Sequence, residues 1–346
     1  MEPNSAAPLR EMWYYAFPSK RLRPGKSLAR VFLGEPLLFA RRDDGRVFAL
    51  RDICPHRGVP LHAGRFDGGE IECPFHGWRF DSSGGCTAIP SRVAGDAFDP
   101  GRVRVKSYRV QETHGNIWVF FGEQPETAAE VPALPEVEPQ RRPDLTLSMR
   151  MPCAIDEAVF GLMDPTHNPF VHVSWWWRRP GSIRDKEKAF APAPYGFTML
   201  PHRPSGSMLP YKLLGGAPQT QIIFRLPSTR IEHARFGRHQ FVALSTVTPT
   251  VDNEIEMSYC AYWTTPLFTA IKPIVYLALR TFALQDRDTL ALQSGGLKYN
   301  PALLLIDDAD TQAKWYHRLK NEYARASAAK RPFVNPVRER VLRFRS

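Results

Sequence analysis

The stretch "CPHRGVPLHAGRFDGGEIECPFHGW", Cys54 to Trp78, constrains this chain more than any other. Cys54 and His56 stand two apart, sixteen residues follow, and Cys73 and His76 stand three apart. Pro55 and Pro74 stiffen the two tips, while Gly58, Gly64, Gly68, Gly69 and Gly77 permit tight turns and close backbone approach. Two thiols and two imidazoles in such pairs are a metal-ligand set, and each pair is expected at a loop tip between strands.

The flanking sequence reads as those strands. "RVFLGEPLLFARRDDGRVFALRD" holds two β-rich runs joined by Asp43-Asp44-Gly45, a hairpin signal, and "RFDSSGGCTAI" repeats the pattern around Gly84-Gly85. "GNIWVFFGE", residues 115–123, has the composition of a buried strand. Residues 8–124 are therefore expected to form an all-β domain. Residues 125–143 are rich in proline and glutamate without apolar period and read as a linker. Residues 144–346 form the second domain. In it, 220–250 and 254–265 read as antiparallel strands, and 153–168, 284–294 and 308–328 as helices. Residues 184–220, with many prolines and glycines, read as pocket-forming loops. The fold class expected is α+β, an all-β domain followed by an antiparallel sheet flanked by helices.

Composition excludes several classes. Five cysteines in 346 residues are too few and too odd in number for a disulfide scaffold. No basic-then-apolar leader opens the chain, so the cytoplasm is the expected location. The apolar run 264–284 carries Lys272, Arg280, Pro266 and Pro273, which argues for a buried or partly buried helix rather than a membrane span. The net charge of +11 comes without a basic helix or any nucleic-acid-binding frame. It suits the docking of an acidic protein partner.

Cys54, His56, Cys73 and His76 fit either tetrahedral zinc or an iron–sulfur cluster with cysteines on one iron and histidines on the other. Zinc ribbons use Cys-x2-Cys pairs, whereas both pairs here are mixed, which suits two irons with different ligands. "CPHRG" and "CPFHGWRFD", with the "GGCTAIPS" that follows, resemble the two ligand loops of Rieske-type non-haem iron oxygenases. Respiratory Rieske proteins add a cysteine to each loop, and the matching positions here are Val59 and Phe75. His62 lies outside both pairs and reads as a loop residue.

A second constellation stands in "GLMDPTHNPFVH", residues 161–172. On an unbroken helix, His167 and His172 would diverge by about 140°, too far for one metal. Pro169 breaks such a helix and pushes Asn168 out of the α region, which lets both imidazoles turn to one ion. No glutamate follows the first histidine, so zinc-peptidase chemistry is disfavoured. The resemblance implies that His167 and His172 ligate a mononuclear iron and that Asp164 links it to the cluster. The residues alone read Asp164 as an N-cap ahead of Pro165. The family often has asparagine where this chain has Gly161. The third ligand implied is a carboxylate from "LQDRDTLALQS", residues 284–294. Asp286 shares a helical face with Leu290 and Gln293, whereas Asp288 beside Arg287 reads as solvated, so Asp286 is the expected ligand. Gln285 and Gln293 fit the residues that flank the ligand in the family.

The resemblance implies one Rieske [2Fe-2S] cluster and one Fe(II) per chain, electrons from a ferredoxin or flavin reductase, and a head-to-tail homotrimer. The activity implied is that of a terminal oxygenase. The chain is similar in length to short, alpha-only vanillate O-demethylase-type monooxygenases, which favours hydroxylation or oxidative demethylation of a small aromatic or polycyclic substrate. The alternatives are a cis-dihydroxylating dioxygenase, a non-catalytic electron carrier and a zinc-stabilised binding protein. Trp175–Trp177 are candidates for a pocket wall or a subunit interface. His202, His233, His239 and His317 share no motif and read as ordinary, and Cys86, Cys153 and Cys260 as buried thiols.

Overall fold

A computed structural model describes residues 7–93, 95–123, 129–174, 183–203 and 218–346. The chain falls into two compact units, Arg10–Val131 and Pro132–Ser346, the second also taking the residues before Arg10. Ala129, Val131 and Leu134 are buried, so the proline-rich segment packs down where it is described.

The first unit is built of β1 (Met12–Pro18), β2 (Lys26–Phe32), β3 (Glu35–Arg41), β4 (Val47–Arg51), β5 (Arg65–Phe66), β6 (Ile71–Glu72), β7 (Arg79–Phe80), β8 (Cys86–Ala88), β9 (Ser107–Tyr108), β10 (Val110–Thr113) and β11 (Asn116–Phe121). They form antiparallel sheets ordered β1-β11-β10, β2-β3-β4-β9 and β5-β6-β7-β8. Gly45, at φ +88°, turns the chain from β3 to β4, and Gly45 N–H donates to the Arg42 carbonyl. Leu38, Leu50, Leu61, Ile71 and Phe80 make a core that also encloses Cys54, Cys73 and Cys86. The two ligand loops thus rise from β4–β5 and β6–β7 with their cysteines rooted in packed apolar surface.

The second unit carries β12 (Leu145–Met151), β13 (Asp185–Ala193), β14 (Gly196–His202), β15 (Gln219–Arg225), β16 (Thr229–Phe236), β17 (His239–Pro249), β18 (Ile255–Trp263) and β19 (Arg340–Arg345). They make one antiparallel sheet in the order β12-β18-β17-β16-β15-β14-β13-β19. Residues 185–202 are two of its strands, which corrects the expectation of pocket-forming loops there. Pairing absorbs the prolines that suggested loops. Pro192 lies beyond Phe190, where pairing with β19 ends, and Pro201 sits at a register shift opposite β15, so neither removes a needed ladder donor.

Helices α1 (Ile155–Met163) and α2 (Asn168–Val171) follow β12. A single helix was expected over 153–168. It stops at Met163 because Asp164 precedes Pro165 and takes an extended ψ of 120°. The apolar run is not one helix: Pro266–Ala270 is a short helix of its own, and the 26-residue helix Lys272–Leu297 follows it, with Pro273 in its first turn, where no donor is required. No helix among the described residues is long and apolar enough to cross a membrane. The helix Thr311–Ala328 buries Trp315, Tyr316, Leu319 and Tyr323, and Trp315 and Tyr316 meet Phe197 and Phe224 of the sheet.

Candidate functional site

The two loops of the first unit share one backbone frame. Cys54 N–H donates to the Val59 carbonyl (2.8 Å) and Gly58 N–H to the Cys54 carbonyl (2.9 Å). In the second loop Cys73 N–H donates to the Trp78 carbonyl (2.8 Å) and Gly77 N–H to the Cys73 carbonyl (3.1 Å). Both frames close on a glycine in the left-handed region, Gly58 at φ +76° and Gly77 at +69°. The histidine comes two residues after the cysteine in one loop and three after it in the other.

His56 and His76 lie with ring centroids 4.6 Å apart, and His56 stacks on Trp78 at 4.5 Å and 7°. Cys54 and Cys73 neighbour each other at the base of the loops. Burial, and then the adjoining Cys73, push the Cys54 thiol up to about 11. Burial first, then the charges of His76 and Arg57, lower the His56 imidazole. His76 Nδ1 is buried with no hydrogen-bond partner. A Cys54 thiol that resists ionisation, with Cys73 at its side and an unpartnered buried imidazole nitrogen nearby, fits a positively charged metal centre, which reverses both penalties. His62 lies outside this group. Asp52, buried, accepts hydrogen bonds from the His62 backbone N–H and ring, closing the base of the first loop.

In the second unit the structure gathers His167, His172 and Asp286, with one ligand atom from each within 4.8 Å of the others. His167 caps the start of α2 and His172 its end; the break expected at Pro169 is absent, since Pro169 falls in the first turn, and the backbone leaves the helix only at His172 (φ −94°, ψ 70°). The two ring centroids are 5.3 Å apart. Asp286 reaches in from the long helix, with Oδ1 at 3.4 Å from His172 Nε2 and 3.8 Å from His167 Nε2. Burial pushes the Asp286 carboxyl up, against the two histidines, which pull it down. Two imidazoles facing one reluctant carboxylate fit a divalent cation. Asp288 is exposed and paired with Arg287. Gln293 is also exposed, so the expected pocket face through Gln293 is not present. Instead Phe282 and Gln285, on the preceding turn, meet His172. The Phe282 ring lies 4.7 Å from the imidazole, and Gln285 Oε1 is 3.1 Å from Nδ1.

Asp164 ends α1 rather than starting a helix, which corrects its reading as an N-cap. Its carboxylate accepts from Thr166 N–H and Oγ1, each at 2.6 Å. Oδ2 lies 3.5 Å from His167 Nδ1, a buried atom that makes no hydrogen bond. Burial raises the Asp164 carboxyl, but His167 and Thr166 outweigh it and hold it below the usual range. A Cβ at Gly161 would meet Leu290 Cδ2 at 3.9 Å, an ordinary contact, so the missing side chain leaves space rather than avoiding a clash. Trp175–Trp177 lie outside the described residues. Among the described residues, His202, His233, His239 and His317 join no such group.

Residues 12–109 match the family model of the Rieske [2Fe-2S] domain. This part of the chain is a Rieske domain. The oxygenase subunit of 3-chlorobenzoate-3,4-dioxygenase from Comamonas testosteroni is 36% identical over 170 residues, 48% of this chain and 38% of that protein. The oxygenase component of dicamba O-demethylase from Stenotrophomonas maltophilia is 35% identical over 168 residues, 47% of this chain and 48% of that protein. The chain thus matches less than half the length of either curated relative. Beyond the Rieske domain the fold extends the likeness. A solved structure of dicamba monooxygenase bound to dicamba covers 92% of this chain and 100% of its own, with a TM-score of 0.71 at 23% identity. NdmA of Pseudomonas putida CBB5 covers 92% of each chain with a TM-score of 0.71 at 16% identity. Over 92% of its length the chain therefore shares the fold of these two solved structures.

Proposed function

We propose that this chain is the terminal oxygenase component of an electron-transfer system, a monooxygenase that hydroxylates or oxidatively demethylates a small aromatic or polycyclic substrate. The observation that carries this reading is the coexistence of a Rieske domain with the His167, His172 and Asp286 group in a second unit. An electron carrier has no use for the second group.

Cys54, Cys73, His56 and His76 would hold a [2Fe-2S] cluster, and His167, His172 and Asp286 one Fe(II). The cluster would supply single electrons and the iron would supply O₂ activation. The protein's own residues account for the rest. Cys54 and Cys73 would root the cluster in the apolar core, with the half-buried His56 and His76 as its other ligands. Two imidazoles and one carboxylate would hold the iron with coordination positions to spare for O₂. Asp164, fixed by Thr166, holds a charge beside His167 Nδ1 and links the iron site to a cluster histidine, His56 or His76, of a neighbouring subunit in a homotrimer. An acidic ferredoxin or a flavin reductase docks on the basic surface, and the system works in the cytoplasm.

A cis-dihydroxylating dioxygenase is the second reading, favoured by the likeness to the 3-chlorobenzoate dioxygenase subunit. The experiment is iron and acid-labile sulfide per chain on anaerobically purified protein, with EPR of the reduced sample. Three irons and two sulfides with a Rieske signal are expected. Two of each, persisting after Fe(II) is added back, overturn the oxygenase and leave an electron carrier. Product analysis under ¹⁸O₂ then separates insertion of one atom from two.

A further inference from the structure

We propose that Gln285 is a positioning residue that sets the tautomer of His172 and thereby the strength of the metal site. This rests on the reading of His167, His172 and Asp286 as an iron site and adds a residue outside that group.

The argument begins with the two nitrogens of His172. Nε2 faces Asp286 Oδ1 at 3.4 Å and points into the ligand group. To bind a metal it must present a lone pair, so the ring proton must sit on Nδ1. Nδ1 faces Gln285 Oε1 at 3.1 Å, and an amide oxygen can only accept. With its oxygen toward the imidazole, Gln285 turns Nε2 to Ser174 Oγ, which accepts from it at 3.2 Å. The reverse orientation would aim an N–H at Nδ1, move the ring proton to Nε2 and leave His172 without a lone pair for the ion. His172 is also the more buried ligand, its side chain 7% exposed against 22% for His167, so water does not replace the amide easily.

The backbone explains why these residues can cooperate. Phe282, Gln285 and Asp286 stand at i, i+3 and i+4 on the helix Lys272–Leu297 and form one face. Phe282 packs against the imidazole, Gln285 sets its proton and Asp286 supplies the neighbouring ligand. A rigid helix thereby gives His172 its plane, its tautomer and its distance to the third ligand. His167 is held differently. Asp164 approaches its Nδ1 at 3.5 Å without a hydrogen bond, so the two histidines differ in their outer partner, a neutral amide and a carboxylate.

The test is a Co(II) titration of the full-length protein after its mononuclear site is stripped, comparing wild type, Gln285→Leu and Gln285→Glu. The readouts are the dissociation constant and the ligand-field bands. Loss of an outer partner of a metal-bound histidine typically weakens metal binding ten- to a hundred-fold. Gln285→Leu, similar in size but without an acceptor, should weaken Co(II) by about that factor and change the bands. Gln285→Glu, which still accepts the Nδ1 proton, should recover most of the affinity. The Rieske EPR signal should be the same in all three. Wild-type affinity in Gln285→Leu overturns the proposal, as does a Gln285→Glu variant as weak as Gln285→Leu, which would mean that the side chain acts by packing. A wild-type protein that takes no Co(II) at this group overturns the iron-site reading itself.

Discussion

Lys320→Met tests how the second unit anchors the helix that leads to the metal group. Asp156, in the first turn of α1, accepts two hydrogen bonds from Lys320 Nζ at 2.8 and 3.0 Å and one from Tyr316 Oη at 2.9 Å. The Lys320 and Asp156 side chains are 5% and 12% exposed. Methionine keeps most of the packed stem but strands the Asp156 charge in a buried site. Removing one partner of such a pair costs about 3–5 kcal/mol. For a unit of this size, each kcal/mol moves the midpoint by about 2–4 °C. The transition should therefore fall by roughly 10 °C. The double variant Asp156→Asn with Lys320→Met removes both charges and should regain most of that loss. Differential scanning calorimetry of the full chain measures it. A single variant whose midpoint moves by less than about 2 °C would refute the reasoning, since the pair would then contribute no more than an exposed one.

Other outcomes follow from the same geometry. Gly64→Ala should abolish the Rieske EPR signal, because a Cβ there would stand 1.9 Å from the Glu72 carbonyl oxygen, directly before Cys73. Asp164→Asn should leave iron and sulfide content unchanged and abolish coupled O₂ uptake; normal uptake would remove the link through Asp164. A strong Fe(II) chelator should strip the triad, whose Asp286 side chain is 25% exposed, before the Rieske cluster, whose Cys54 and Cys73 are 2% and 3% exposed, as read by residual iron and EPR. Burial raises the Glu35 carboxyl, but hydrogen bonds from Tyr108 and Arg10 and the charges of Lys106 and Arg10 outweigh it and hold it below its ordinary value. The stability this contributes is present above the unfolded carboxylate value, about 4.3, and is lost as the pH falls through the lower folded value. Glu35→Gln should flatten the acid limb of the stability curve of the first unit, and an unchanged limb would count against it.

Much of the candidate site is local, and so is visible in the sequence. The two mixed Cys/His loops carry their own turn residues, but the break expected at Pro169 is absent, because Pro169 stands in the first turn of α2, where a proline costs no hydrogen bond. Asp286 separates from Asp288 by helical face and by the arginine next to Asp288. What stayed hidden depends on distant pairing. The strands at 185–202 owe their form to β15 and β19, and no local pattern marks them. Asp164 looked like a helix start, because Asp-Pro is an N-terminal signal, but the preceding helix claims it as its last cap. Gln293 has the helical spacing of a pocket residue, but the pocket face lies one turn earlier, toward α2. The contact of Gln285 with His172 spans 113 residues and leaves no trace in spacing.

Helix α2 is four residues long, too short to hold its shape alone. Its turn is closed by Phe170 N–H and Val171 N–H, which donate to His167 O, and by His172 N–H, which donates to Asn168 O. An ion gripped by the residues at both its ends would act as a clasp on that turn. Filling of the site would then be written in the exchange rates of three backbone amides, Phe170, Val171 and His172, and mass spectrometry of the corresponding peptide would count occupied molecules without reference to colour or turnover.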